Sequence, residues 1–110
     1  MTTTPIPVDE LVEEYGLALR AAAKATAAEA AADDARKIVM AKEIIAAGDM
    51  AVTKAENIAR ASQPYINAVN ALNDARREAE EARAEVEYLR VRWETFRTKT
   101  SAQKARMQHG

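Results

Sequence analysis

A chain of 110 residues with no Cys, three Gly, three Pro and one Trp has the length of a single domain and little bulk for a compact core. The lack of Cys excludes a disulfide framework, a thiolate metal site and a Cys nucleophile. A formal net charge of −1 argues against the molecule as a whole being drawn to nucleic acid or an anionic membrane.

Ala is the commonest residue, with Glu, Lys, Leu and Arg supplying much of the remainder, which is the composition of coiled coils and long helices. Strand-forming runs of Val, Ile, Thr and Tyr are missing. Residues 1–6 read as a flexible arm of Thr and Pro that cannot pack, without the basic and apolar regions of a secretory signal. Pro7 suits the first turn of a helix, where its missing N–H costs nothing. Asp9, Glu10, Glu13 and Glu14 then sit favourably against the positive end of the helix dipole. The first helix is predicted over 8–47. Gly48 suits a left-handed C-terminal position and Asp49 the next N-cap, which starts a short helix over 50–61. The face of that helix would carry Val52, Ala55, Ile58 and Ala59. Ser62, Gln63 and Pro64 end it, because the residue before Pro is pushed out of the helical region. A third helix is predicted over 64–107, with 108–110 fraying. One helical domain would thus cover 7–107.

The third helix carries the clearest pattern. Leu72, Ala75, Ala79, Ala82, Val86, Leu89, Trp93, Phe96, Thr100, Gln103 and Met107 alternate in steps of three and four, a heptad seam. The first helix mirrors it in reverse: large residues (Leu11, Val12, Tyr15, Leu19), an Ala-dense middle, then Ile38, Val39, Ile44 and Ile45. The expected fold class is therefore all-α, a long antiparallel helical hairpin or coiled coil with a short middle helix. Antiparallel helices of equal rise keep the sum of contacting residue numbers constant, here about 107. That register places Ala28 opposite Ala79, and Trp93 and Phe96 against Leu11 and Tyr15. The expected core is Leu11, Tyr15, Leu19, Leu72, Val86, Leu89, Trp93 and Phe96, with the middle helix capping Ile38, Ile45 and Ile66. The same complementarity also serves an intermolecular pairing, so a homo-oligomer is compatible with the pattern.

Chemistry-bearing constellations are few. Asp33-Asp34 and Glu80-Glu81 are paired carboxylates on polar helix faces with basic neighbours, and their plainer role is solvated surface. His109 is the only His and sits beside a terminus, so no catalytic set, metal site or cofactor is implied. The chain is not expected to be an enzyme. Arg76, Arg83, Arg90, Arg97 and Lys104 recur every seven positions beside the seam, a spacing able to track phosphates. Glu80, Glu87 and Glu94 precede three of them by three residues, which favours an intrahelical ion-pair ladder. Arg97, Lys99, Lys104 and Arg106, with Arg92 one heptad before Lys99, are left as candidate contacts for a partner or for nucleic acid. Trp93 and Phe96 beside them are suited to stacking.

The stretch Tyr88-Leu89-Arg90, then Trp93-Glu94-Thr95-Phe96-Arg97-Thr98-Lys99-Thr100-Ser101-Ala102-Gln103-Lys104-Ala105-Arg106-Met107, resembles the C-terminal end of small Ala- and Glu-rich helical proteins of tailed phages, often encoded near recombination or replication genes. The resemblance implies a cytoplasmic protein of a bacterial host. Its expected role is to bind a protein partner, either a phage recombination or replication factor or a host defence complex that it inhibits. A nucleic-acid accessory using the basic helix end, or a structural coiled-coil oligomer, are the alternatives. No apolar run approaches the ~20 residues that span a bilayer.

Overall fold

The computed structural model describes residues Val8–His109, with side chains through Met107; the arm read at 1–6, Pro7 and the extreme C-terminus lie outside the described residues. Among the described residues all regular structure is helical: α1 is Val8–Ala46, α2 Val52–Ala61 and α3 Gln63–His109. α1 and α3 are the arms of an antiparallel hairpin and α2 is the short middle helix. The chain divides into two compact units, Met1–Ala22 with Glu81–Gly110, and Ala23–Glu80.

The breaks fall where Gly and Pro place them, with two differences in detail. Gly48 has φ +85, and its N–H donates to the Ile45 carbonyl at 3.1 Å, closing the end of α1. A Cβ at Gly48 would touch nothing within 4 Å, so backbone conformation alone favours Gly there. Asp49 is not the N-cap of α2. That position belongs to Ala51, which has no side-chain cap, and α2 starts two residues later than its sequence suggests. At the second break the extended residue is Ser62, not Gln63. Its hydroxyl donates to the Ala59 carbonyl at 2.7 Å and accepts from the Tyr65 N–H at 3.4 Å. One Ser thus ends α2 and caps α3, while Pro64, lacking an N–H, occupies the first turn where none is needed.

In the unit formed by 8–22 and 81–109, Leu11, Ala18 and Leu89 make a buried cluster, with Tyr15, Val86, Trp93 and Phe96 packed against it. The expected seam of α3 is inward or half-buried through Thr100, whose hydroxyl donates to the Phe96 carbonyl at 2.9 Å and so carries no unmet polar group into the interface. Beyond Thr100 the seam is exposed, Met107 at 81%. At a register near a sum of about 107, the start of α1 lies level with Lys99, so the last turns of α3 have no described partner helix. Leu19 is a correction: it is 45% exposed, and Ala18 holds the buried position seven residues after Leu11. One residue along a helix turns the side chain by about 100°, which moves Leu19 off the seam. Trp93 and Phe96 are half-buried and not fully enclosed.

In the unit 23–80, Ala55 and Ala59 of α2 and Leu72 and Ala79 of α3 are buried. Ile38, Ile45 and Ile66 are not covered by α2; Ile45 is 78% exposed. The inward positions of α1 here are Val39, Met40, Glu43 and Ile44, which leaves Ile38 and Ile45, each one residue off, facing water. Val52 and Ile58 are exposed for the same reason, flanking the Ala edge that α2 buries. Ala28 is also exposed, because the seam of α1 runs through Ala25, Glu29 and Ala32.

Candidate interaction surface

The surface most suited to a partner lies in the unit of 8–22 and 81–109. Its two helices enclose few side chains larger than Ala, so one edge of the apolar cluster stays open. Val12, Tyr15 and Trp93 line a cavity of about 320 Å³ there. Val8, Val12 and Leu19 of α1 are exposed beside it, spaced at four and seven residues and therefore on one stripe. The Trp93 and Phe96 rings stack at a 6.0 Å centroid distance and 20° between planes, which fixes the Trp93 ring as part of the wall.

Charge is distributed unevenly around this cluster. On α3, Arg90 donates to Glu87 through its Nε at 3.0 Å and to Glu94 through Nη1 at 2.6 Å. These bonds hold the Arg90 guanidinium well above its ordinary pKa and the Glu87 carboxyl below the usual carboxylate range. The expected ladder therefore exists at this rung, but Glu94 reaches back to Arg90 and not forward to Arg97. Arg97, Lys99, Lys104 and Arg106 are exposed, and among the described residues none has an ion-pair partner. Arg92 stands apart: half-buried, its guanidinium lies over the Tyr88 ring at 5.7 Å.

The five candidate cations do not form one patch. Arg97 and Lys104 are seven residues apart on the edge beside Trp93. Arg92, Lys99 and Arg106 repeat at seven on the opposite edge. Two separate depressions reflect this split, one bordered by Glu94, Arg97, Thr98 and Ser101, the other by Lys99, Ala102, Gln103 and Arg106. On α1, Asp9, Glu10, Glu13 and Glu14 are exposed, and among the described residues they have no ion-pair partner either. Among the described residues these acids make no direct ion pair with the basic end of α3.

Sequence reasoning missed the stripe Val8, Val12, Leu19. The signal is a second apolar series beside the seam, which periodicity merges with the core because Leu19 is larger than Ala18. In the unit 23–80 the Asp33-Asp34 pair separates: Asp33 is half-buried and accepts from Arg36 at 2.9 Å and from Lys37 at 3.3 Å, while Asp34 is exposed. The Arg36 and Lys37 bonds hold the Asp33 carboxyl below its ordinary value, and Asp33, with the Tyr65 hydroxyl, raises Arg36. Among the described residues no cluster of three or more His, Cys, Asp or Glu is placed to hold a metal ion, and no helix is long and apolar enough to cross a membrane.

Compared with known proteins, the chain matches no family model, no curated protein and no solved structure.

Proposed function

We propose that this is a non-catalytic helical interaction protein that docks a partner protein on the α1–α3 face around Val12, Tyr15 and Trp93. The observation that carries the reading is the exposed stripe Val8, Val12 and Leu19 beside the half-buried Trp93. Contiguous exposed apolar surface marks interaction sites, and half-buried aromatics are the side chains most often central to them. Helix-in-groove docking uses this kind of apolar edge with charged flanks. The likeness of 88–107 to helical phage proteins directs the search for the partner to phage recombination or replication factors and to host defence complexes.

A pull-down from host lysate with mass spectrometry tests the reading, run in parallel with a Val12→Asp, Leu19→Asp variant. Capture of a defined protein that is lost in the variant, with helicity unchanged, supports it. Capture unaffected by the variant moves the site elsewhere.

A second reading, a nucleic-acid accessory, draws on Arg97, Lys99, Lys104 and Arg106, exposed and without ion-pair partners among the described residues. Their division between two edges of one helix weakens it, because a backbone-tracking surface needs its cations on one path.

A further inference from the structure

We infer that the open edge around Val12 and Trp93 is covered by a second copy of this chain, with α1 of each copy lying antiparallel to α3 of the other. This rests on the reading that the edge is a docking surface, and it places a second copy there in place of a foreign protein.

Three observations carry it. The first is that the edge has two unlike halves. The α1 half presents Val8, Val12 and Leu19; Asp9 and Glu13, each one position beyond Val8 and Val12, rim its outer part with acid, while Arg20 follows Leu19. The α3 half presents Trp93 with Arg97 one turn beyond it and Lys104 two further turns along the same edge. An apolar helix edge flanked by acids is the natural complement of an apolar edge flanked by bases, and this chain supplies both.

The second observation is that neither set of charges is used internally. Asp9, Glu10, Glu13 and Glu14, and Arg97, Lys99, Lys104 and Arg106, are all exposed and have no ion-pair partner among the described residues. By contrast Arg90, between them and the hairpin turn, is held by two carboxylates.

The third is symmetry. A twofold contact presents the same patch from both copies, so each acidic half meets a basic half and every contact is made twice. A single docked copy thus covers both halves of the edge, turning two packed helices into four. The buried cluster of Leu11, Ala18 and Leu89 contains only two side chains larger than Ala, and a four-helix arrangement is the ordinary way for such helices to enclose a core.

The test is the mass of the full chain by light scattering across a concentration series, with helicity monitored by circular dichroism. The expected result is a dimer that weakens with added salt. Reversing one half, Arg97→Glu with Lys104→Glu, or the other, Asp9→Lys with Glu13→Lys, should raise the dissociation constant by on the order of tenfold or more. Combining all four changes in one chain should restore the dimer, because the complementarity is regained with signs exchanged. A chain that is monomeric at every concentration overturns the inference. So does a dimer indifferent to both reversals, which would pair through another surface. A monomer that still captures a foreign protein through Val12 and Leu19 leaves the docking surface standing and removes only the self-pairing.

Discussion

Leu89 and Trp93 stand one helical turn apart on α3 and differ in how much water they have lost. Leu89 is 3% exposed within the cluster of Leu11 and Ala18, whereas Trp93 packs against that cluster from its half-open side. Leu89→Ala should therefore cost about 2–5 kcal/mol, the range for emptying a buried Leu site. Trp93→Ala should cost less than the ~3–5 kcal/mol typical of enclosed aromatics, because part of the ring is already in water. Urea unfolding followed by circular dichroism ranks the two, and a Trp93→Ala loss exceeding that of Leu89→Ala would show the ring to be enclosed after all. At the hairpin break, Ser62→Ala removes a hydroxyl that both ends α2 and caps α3. A loss of about 0.5–2 kcal/mol is expected, the usual worth of an N-cap. The same unfolding series checks it, and no measurable change would mean that the capping bonds contribute nothing net.

At the scale of the helix, the Glu87–Arg90–Glu94 triad makes stability depend on acid. Hydrogen bonding to Arg90 lowers the folded-state pKa of Glu87, and bonds to Arg36 and Lys37 do the same for Asp33. A carboxyl with a lowered folded pKa contributes stability that is present above its unfolded pKa and lost as pH falls through the folded one. Thermal melts should thus shift downward as pH drops below the ordinary carboxylate range, and Glu87→Gln should flatten part of that slope. Glu87 is exposed and Asp33 only half-buried, so solvent screens both and the effect is a modest one. An acid slope identical in wild type and Glu87→Gln would remove this account. The elements themselves were largely legible in the sequence. Gly48 and Pro64 mark the breaks, and the α3 heptads from Leu72 to Thr100 are the seam observed. The α1 seam was not legible, because Leu11, Tyr15, Ala18, Ala22, Ala25, Glu29 and Ala32 place a charged residue on a half-buried position and Ala occurs on every face. Ala gives no contrast between sides, so periodicity could not choose Ala18 over Leu19 or Ala25 over Ala28. The open edge was hidden for the same reason, because Leu19 read as core leaves no exposed stripe beside Val12. Its cations were readable, since Arg97, Lys99, Lys104 and Arg106 follow Glu94 with no further acid. Their division between two edges needed the helix face fixed first.

For the molecule as a whole, the separation of protein docking from nucleic-acid binding turns on how far its charges act together. Binding driven by the phosphate backbone releases a counterion for each phosphate neutralised, so it weakens steeply with salt in proportion to the number of cations engaged. Arg97 and Lys104 share one edge of α3 and Lys99 and Arg106 the other, so a duplex approaching either side meets only half of them. Arg92 is already engaged over Tyr88. Asp9, Glu10, Glu13 and Glu14 lie in the same unit, without ion-pair partners among the described residues, and their field opposes that of the bases within a Debye length of ~8 Å at physiological salt. The chain carries a net charge of −1 in sum. Weak or no binding to single- or double-stranded DNA is therefore expected at physiological salt, with a shallow salt slope where binding is seen at all. Fluorescence anisotropy with labelled oligonucleotides over a salt series measures this directly. Submicromolar affinity that falls steeply with salt, and disappears when Arg97, Lys99, Lys104 and Arg106 are changed to Ala with helicity intact, would transfer the function from protein docking to nucleic acid. In that case α3 would have to present both edges at once, as a single helix does when a flexible strand wraps it, and single-stranded oligonucleotides should then bind more tightly than duplexes of the same length.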